Sequence, residues 1–156
     1  MTATQSIQPV LRSDYQPPTY WIDNVELDFD DGKRLEQTQY QLRDDGMTLL
    51  DLPESCVIET KVLVSPVTNK SLSGLYQTSG NFCTQCEAVG FRRITYFLDR
   101  PDVMTTYRVT IRADKQSCPV MLSNGNRISQ RDLDDGRHEV VWEDPFPKPS
   151  YLFALV

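Results

Sequence analysis

Apolar side chains recur at every second position in several stretches of this chain, and turn-forming residues fill the gaps between them. Val25, Leu27 and Phe29 alternate with Glu26, Asp28 and Asp30, which places the apolar set on one face of a strand. Asp31-Gly32 closes that strand with a turn. A weaker strand is predicted over Leu35 to Leu42, closed by Asp45-Gly46. An apolar run then extends from Met47 to Leu52 until Pro53 stops it. Ile58, Val62 and Val64 share a face with Thr60 while Glu59 and Lys61 point away, so a strand is expected from Val57 to Val64, ended by Pro66.

The Ser, Gly and Asn content of Thr68 to Asn81 predicts a loop. Phe82 to Asp102 shows no clean period, and a short helix is expected near Ala88 to Thr95. Tyr107, Val109 and Ile111 alternating with Arg108, Thr110 and Arg112 give the clearest strand of the chain. Val120 to Ser123 and Arg127 to Ser129 flank Asn124-Gly125, the signature of a hairpin. A turn at Asp135-Gly136 precedes a strand with His138, Val140 and Trp142 on one face, and Pro145, Pro147 and Pro149 keep the chain beyond it extended. Tyr151 to Val156 is continuously apolar, as in a strand covered on both faces, and implies a cut near a domain edge.

These elements predict an all-β, two-sheet, sandwich-like fold. The polar, proline-punctuated residues 1–18 are expected to form a flexible leader ahead of a single β-domain over 19–156. A chain of 156 residues is long enough for one domain with a hydrophobic core. Its net charge of -6 excludes a nucleic-acid binder that works through a basic face. No apolar run approaches a membrane span and no signal pattern opens the chain, so neither a membrane nor a secretory route is expected. Cys56, Cys83, Cys86 and Cys118 therefore read as free thiols of a cytoplasmic protein.

Cys83-Thr84-Gln85-Cys86 has the spacing of half a zinc site or of a redox dithiol. A structural zinc site needs a second pair of ligands, and Cys56 and Cys118 stand alone. A redox dithiol needs a helix start in a βαβ setting, and small buried or loop thiols explain the pair better. His138-Glu139 suggests a zinc-peptidase helix, but position 142 is Trp and the local period is that of a strand. His138 is the sole histidine, so a two-histidine metal site and a histidine-based triad are both excluded. Asp30-Asp31, Asp44-Asp45 and Asp134-Asp135 fall at predicted turns, where Asp serves turn geometry. No complete catalytic constellation is present.

Leu75 to Arg100, reading LYQTSGNFCTQCEAVGFRRITYFLDR, resembles the bacterial-type aminopeptidase N family of zinc metallo-aminopeptidases. The resemblance continues through Arg100-Pro101-Asp102-Val103 and Leu122-Ser123-Asn124-Gly125-Asn126. It ends on Asp144-Pro145-Phe146-Pro147-Lys148-Pro149 and the run Tyr151 to Val156. Asp14-Tyr15, Pro18 and Tyr20 fit more weakly. The resemblance implies a saddle-like β-domain that packs against a thermolysin-like catalytic domain. The family's zinc ligands, general-base glutamate and Gly-x-Met-Glu-Asn motif belong to that second domain, so no cofactor is expected in this chain and zinc only in the full-length enzyme.

By the same resemblance, Glu87 binds the α-ammonium of a peptide substrate and Gln85 lines the pocket for its first side chain. Without it, Glu87 would read as a solvated loop carboxylate paired with Arg92 or Arg93. Cys83 and Cys86 flank the loop, and Asp99 and Arg100 brace it or the domain interface. The expected partners are a peptide amino terminus and the absent catalytic domain, and the chain alone is expected to be inactive. The alternative is a stand-alone β-sandwich binding module. One departure stands out: between about Phe29 and Leu49 the chain is shorter than the family pattern, which leaves a possible open sheet edge.

Overall fold

The computed structural model describes residues 40–43, 46–50, 58, 60, 62 and 64–156. The predicted leader and the strand around Leu27 lie outside the described residues. Two compact units divide the chain. One comprises residues Met1–Ser65 and Arg92–Leu98, the other Pro66–Phe91 and Asp99–Val156.

In the first unit, strand β1 (Tyr40–Arg43) pairs antiparallel with β2 (Gly46–Leu49), from Tyr40 opposite Leu49 to Arg43 opposite Gly46. Period two sends Met47 and Leu49 to one face, where they are buried with Tyr40, Ile58 and Tyr96 packed against them. The hydroxyls of Thr60 and Thr95 meet at 3.3 Å. Of the strand expected over Val57 to Val64, the four described residues (58, 60, 62 and 64) are not in a strand.

The second unit opens with a hairpin where a loop was expected. Strands β3 (Gly74–Thr78) and β4 (Asn81–Gln85) pair antiparallel, Thr78 opposite Asn81. Ser79 and Gly80 both have positive φ, +50° and +86°, the requirement of a two-residue turn that matches strand twist. The residues that suggested a loop are those that build this turn. The helix expected near Ala88 to Thr95 is only a 3₁₀ turn, Phe91–Arg93.

Strands β5 (Thr105–Asp114), β6 (Asn126–Asp132) and β7 (Arg137–Lys148) form an antiparallel sheet in the order β5-β7-β6. Val109 lies opposite Trp142 and Ile111 opposite Val140, so the predicted apolar faces of the two strands coincide. His138 sits on that face, 1% exposed, with Nε2 2.7 Å from the Cys118 carbonyl. It is a core histidine. The opposite face carries charge: Glu139 lies between Arg112 and Arg131, at 2.5 and 2.7 Å, and Arg108 meets Glu143 at 3.2 Å. Hydrogen bonds from Arg131 and then Arg112 hold the Glu139 carboxyl below its ordinary range.

Asn124-Gly125 does not make the expected hairpin. β6 pairs with β7 instead, across the Asp135-Gly136 turn, while the residues before Asn124 run against the end of the chain. Leu122 and Val156 exchange two backbone hydrogen bonds, at 2.7 and 3.0 Å. The Asn124 side chain donates to the Leu152 carbonyl at 2.9 Å and accepts from the Ala154 amide at 2.6 Å. Tyr151 to Val156 is accordingly a 3₁₀ turn, Ser150–Leu152, followed by an extended segment bridged at Ser123–Leu155, rather than a full strand.

Gly125 combines φ of +84° with a backbone approach so close that a Cβ would stand 2.2 Å from the Glu143 oxygen. Gly136 has a similar φ, +81°, and open space around its Cβ direction. Gly136→Ala should therefore cost only the left-handed conformation, about 1–2 kcal/mol. Gly125→Ala should cost more, on the order of 3 kcal/mol, because backbone must also move. Urea midpoints of the two variants measure the difference, and equal losses would contradict this account.

Candidate functional site

β4 delivers the chain to a loop over residues 86–90 whose conformation its own sequence enforces. The Gly90 amide donates to the Cys86 carbonyl at 2.8 Å, closing the loop on itself. A Cβ at position 90 would lie 2.3 Å from the Gln85 oxygen and 2.8 Å from Cys86 Cα. Only glycine fits there. The Glu87–Ala88 peptide bond within the loop is cis.

Gln85 and Glu87 are exposed, and Cys86 between them is buried at 2% exposure. The Gln85 amide nitrogen lies 3.4 Å from the Glu87 backbone oxygen, a long hydrogen bond. Among the described residues no ion pair engages the Glu87 carboxylate. The structure thus brings Gln85 and Glu87 side by side, facing outward. A carboxylate and a carboxamide displayed this way can accept hydrogen bonds from a cation without surrendering an internal partner.

The loop is fastened at both ends. On the β4 side, the Thr84 amide donates to the Leu155 carbonyl at 3.1 Å, and the Leu155 amide returns a bond to Thr84 Oγ1 at 2.8 Å. On the far side, Phe91 turns inward and meets Phe153 edge-on at 4.9 Å between centroids and Tyr107 at 6.1 Å. Tyr107 and Phe153 complete the cluster at 5.5 Å. Such aromatic pairs add roughly 0.5–1.5 kcal/mol each beyond the area they bury.

Buried polar groups share this interior. Asp99 is 4% exposed and accepts a short hydrogen bond from the Ser150 hydroxyl. Burial, and then the Asp99 charge, pushes the Cys86 thiol up to about 12. Burial, followed by the charges of Asp99, Cys86 and Asp144, likewise pushes the Tyr107 hydroxyl up to about 12. Tyr107 Oη is buried without a hydrogen-bond partner. Arg100, by contrast, points outward and pairs with Asp102 at 2.5 Å.

The other chemical candidates disperse. Cys83, Cys86 and Cys118 are free thiols. Cys83 lies opposite Tyr76 in the hairpin. Asp135 pairs with Arg137 at the β6–β7 turn, while Asp30-Asp31, Asp44-Asp45 and Cys56 lie outside the described residues. No group of three or more His, Cys, Asp or Glu among the described residues could hold a metal ion. Ser150, Phe153 and Gly90 escaped the sequence analysis. The first two sit in an apolar terminal run with no periodic signal, but a lone glycine after Cys-Glu-Ala-Val could have been read as a close backbone approach.

A sequence model of the Peptidase M1 N-terminal domain matches residues 22–152. Aminopeptidase N of Caulobacter vibrioides is 52% identical over 126 residues, covering 81% of this chain and 14% of the relative. Aminopeptidase N of Escherichia coli is 40% identical over 189 residues, covering 98% of this chain and 22% of the relative. That alignment is longer than the 156 residues of the chain, so the relative has a stretch with no counterpart here. Among solved structures, Legionella pneumophila aminopeptidase A in complex with aspartic acid matches with a TM-score of 0.79 and 41% identity, over 84% of this chain and 15% of that one. The chain spans less than a quarter of the length of each of these proteins.

The buried acids at the foot of the loop give the domain a signed pH response. Cys86 and Tyr107 titrate higher when folded than their ordinary values of 9.0 and 10.0. Their stabilising contribution is complete below those ordinary values and is lost as pH rises towards 12. Chemical denaturation from pH 8 upward should show stability falling across that window. In the native chain at pH 8, iodoacetamide should alkylate Cys86 at least a hundredfold more slowly than Cys118, on the order expected from lost thiolate and burial. Comparable rates at the two thiols would refute the burial.

Proposed function

The chain belongs to the Peptidase M1 N-terminal domain family, and from that membership we propose that it supplies the substrate-amine recognition of an aminopeptidase. In this reading Glu87 receives the α-ammonium of a peptide and Gln85 forms part of the wall around its first side chain. The enzyme removes amino-terminal residues, its metal chemistry resides in a separate catalytic domain, and this chain by itself does not turn over. A cytoplasmic location belongs to the same reading and is supported by the free thiols.

The observation that carries the proposal is the exposed Glu87 carboxylate, free of any ion pair among the described residues, on a loop whose backbone is closed by Gly90 and rooted by buried Cys86. An exopeptidase must hold a charged amine at a fixed distance from the bond to be cut. A mobile carboxylate would bind the amine without fixing that distance. A rooted one does both. The aspartic acid bound to the Legionella relative is itself an α-amino acid, the ligand class such a carboxylate takes.

In this reading zinc belongs to the chemistry of the catalytic domain. The sole histidine, His138, is 1% exposed and its Nε2 is already committed to the Cys118 carbonyl. The reading therefore places the metal's ligands on the partner domain, and what this chain contributes is orientation and charge.

In an enzyme assembled from this chain and the catalytic remainder of the Escherichia coli relative, Glu87→Gln should lower kcat/KM for aminoacyl anilides. Charge-assisted hydrogen bonds of about 1.5–3 kcal/mol imply a loss of roughly 10- to 150-fold. Glu143→Gln, on the charged face of the β5-β7-β6 sheet, should stay within about twofold. Unchanged kinetics in the Glu87 variant would remove amine recognition from this residue.

A further inference from the structure

Cys86 is the only residue between Gln85 and Glu87, and what it rests on decides where they point. Asp99 after the 3₁₀ turn and Tyr107 on β5 are close enough to Cys86 to act on it by charge, and near the end of the chain Ser150 bonds Asp99 while Phe153 packs on Tyr107. Ser150 is 1% exposed and Asp99 4%, and the serine hydroxyl donates to Asp99 Oδ1. A buried carboxylate tolerates burial only where donors compensate it, so this bond fixes Asp99 against the 150–156 segment. That segment also holds β4 through the two Thr84–Leu155 bonds and holds Phe91 through Phe153.

We propose that the buried Ser150–Asp99 pair is a positioning element of the recognition loop, setting the placement of Glu87 by fixing the terminal segment that holds β4 and Phe91 on either side of it. Neither residue touches substrate. The pair supplies a directional contact to the terminal segment, beside the aromatic packing of Phe91, Tyr107 and Phe153. Apolar packing alone would let the loop slide, because dispersion contacts have little preference among nearby placements, whereas a hydrogen bond to a buried charge has one geometry. The expected result of breaking it is a loop that still folds but no longer holds its carboxylate at one distance. The effect on catalysis rests on the reading of Glu87 given above, but the effect on loop order does not.

Two measurements separate these levels. In the 156-residue chain, amide hydrogen exchange at Gly90, whose N–H is bonded to Cys86, should quicken at least tenfold in Ser150→Ala while Val141 on β7 changes less than twofold. Asp99→Asn keeps an acceptor for the serine and should leave Gly90 within about threefold of the parent. Unchanged Gly90 exchange in Ser150→Ala, equal acceleration of Gly90 and Val141, or an Asp99→Asn variant as fast as Ser150→Ala would each overturn the positioning role.

In the assembled enzyme, leucinamide and its des-amino analogue are compared as competitive inhibitors. Ser150→Ala should cut the preference for the amine at least fivefold, and in a Glu87→Gln background it should have no further effect. If Glu87→Gln alone leaves that preference intact, the amine-binding reading fails and Gly90 exchange still decides the positioning role. If Glu87→Gln abolishes the preference and Ser150→Ala does not reduce it, the positioning role fails and the reading of Glu87 stands.

Discussion

Burial of the Cys86 side chain holds the candidate site together, because it roots the loop that follows β4 while its neighbours on either side stay exposed. Gln85 at the end of β4 and Glu87 in the turn are exposed, with Cys86 buried between them. A polar or charged residue at 86 would meet Asp99, Tyr107 and an aromatic cluster, an environment that already raises a thiol to about 12. A small, uncharged side chain is what that floor accepts. Gly90 completes the constraint from above by allowing the chain to return within contact distance of Gln85 and Cys86. The loop is thus determined by one residue that must be inside and one that must have no side chain.

The β5-β7-β6 sheet provides a rigid base for this arrangement. β7 lies at its centre, and the ladder keeps Val109, Ile111, Val140 and Trp142 on one face with charges on the other. Trp142 is tied by its indole N–H to the Met121 carbonyl at 3.1 Å, and His138 Nε2 is joined to the Cys118 carbonyl, whereas His138 Nδ1 and Tyr107 Oη are buried without a partner. On the charged face, Glu139 takes two guanidinium groups while nearly excluded from water. That arrangement specifies register, since a slip of one residue would turn Glu139 into the core and Val140 out of it.

The all-β class was legible because period two is a local signal, and β5 and β7 lie where alternation placed them. Turn chemistry was legible only in part. Asp135-Gly136 joins consecutive strands as its residues suggest, but Asn124-Gly125, an equally strong turn signal, joins none. At Gly125 the positive φ is used to bring backbone against Glu143, a tertiary contact that no dipeptide encodes. The β3–β4 hairpin was hidden for the opposite reason: its turn residues outnumber its apolar ones, so alternation over Gly74–Thr78 was too short to register. Glu87 and Gln85 are singled out only by a resemblance of whole words, while Ser150 and Phe153 carry no mark in sequence because their part consists of what they touch.

The proposed function divides labour between this domain and a catalytic one. Its described residues offer no metal-binding cluster, and its histidine is spent on the core. In the proposed role its contribution is the Glu87 carboxylate, on a loop rooted by buried Cys86. Recognition of a charged terminus needs little more than that, provided the charge does not wander, because selectivity between a free amine and a blocked one depends on distance as much as on attraction. A β-scaffold suits such recognition. Strands set the direction of alternate side chains to within narrow limits, and a tight loop at a strand's end keeps that precision where a longer one would lose it. On this view the terminal segment, which binds β4, Phe91 and Asp99 together, matters to recognition as much as the loop it supports.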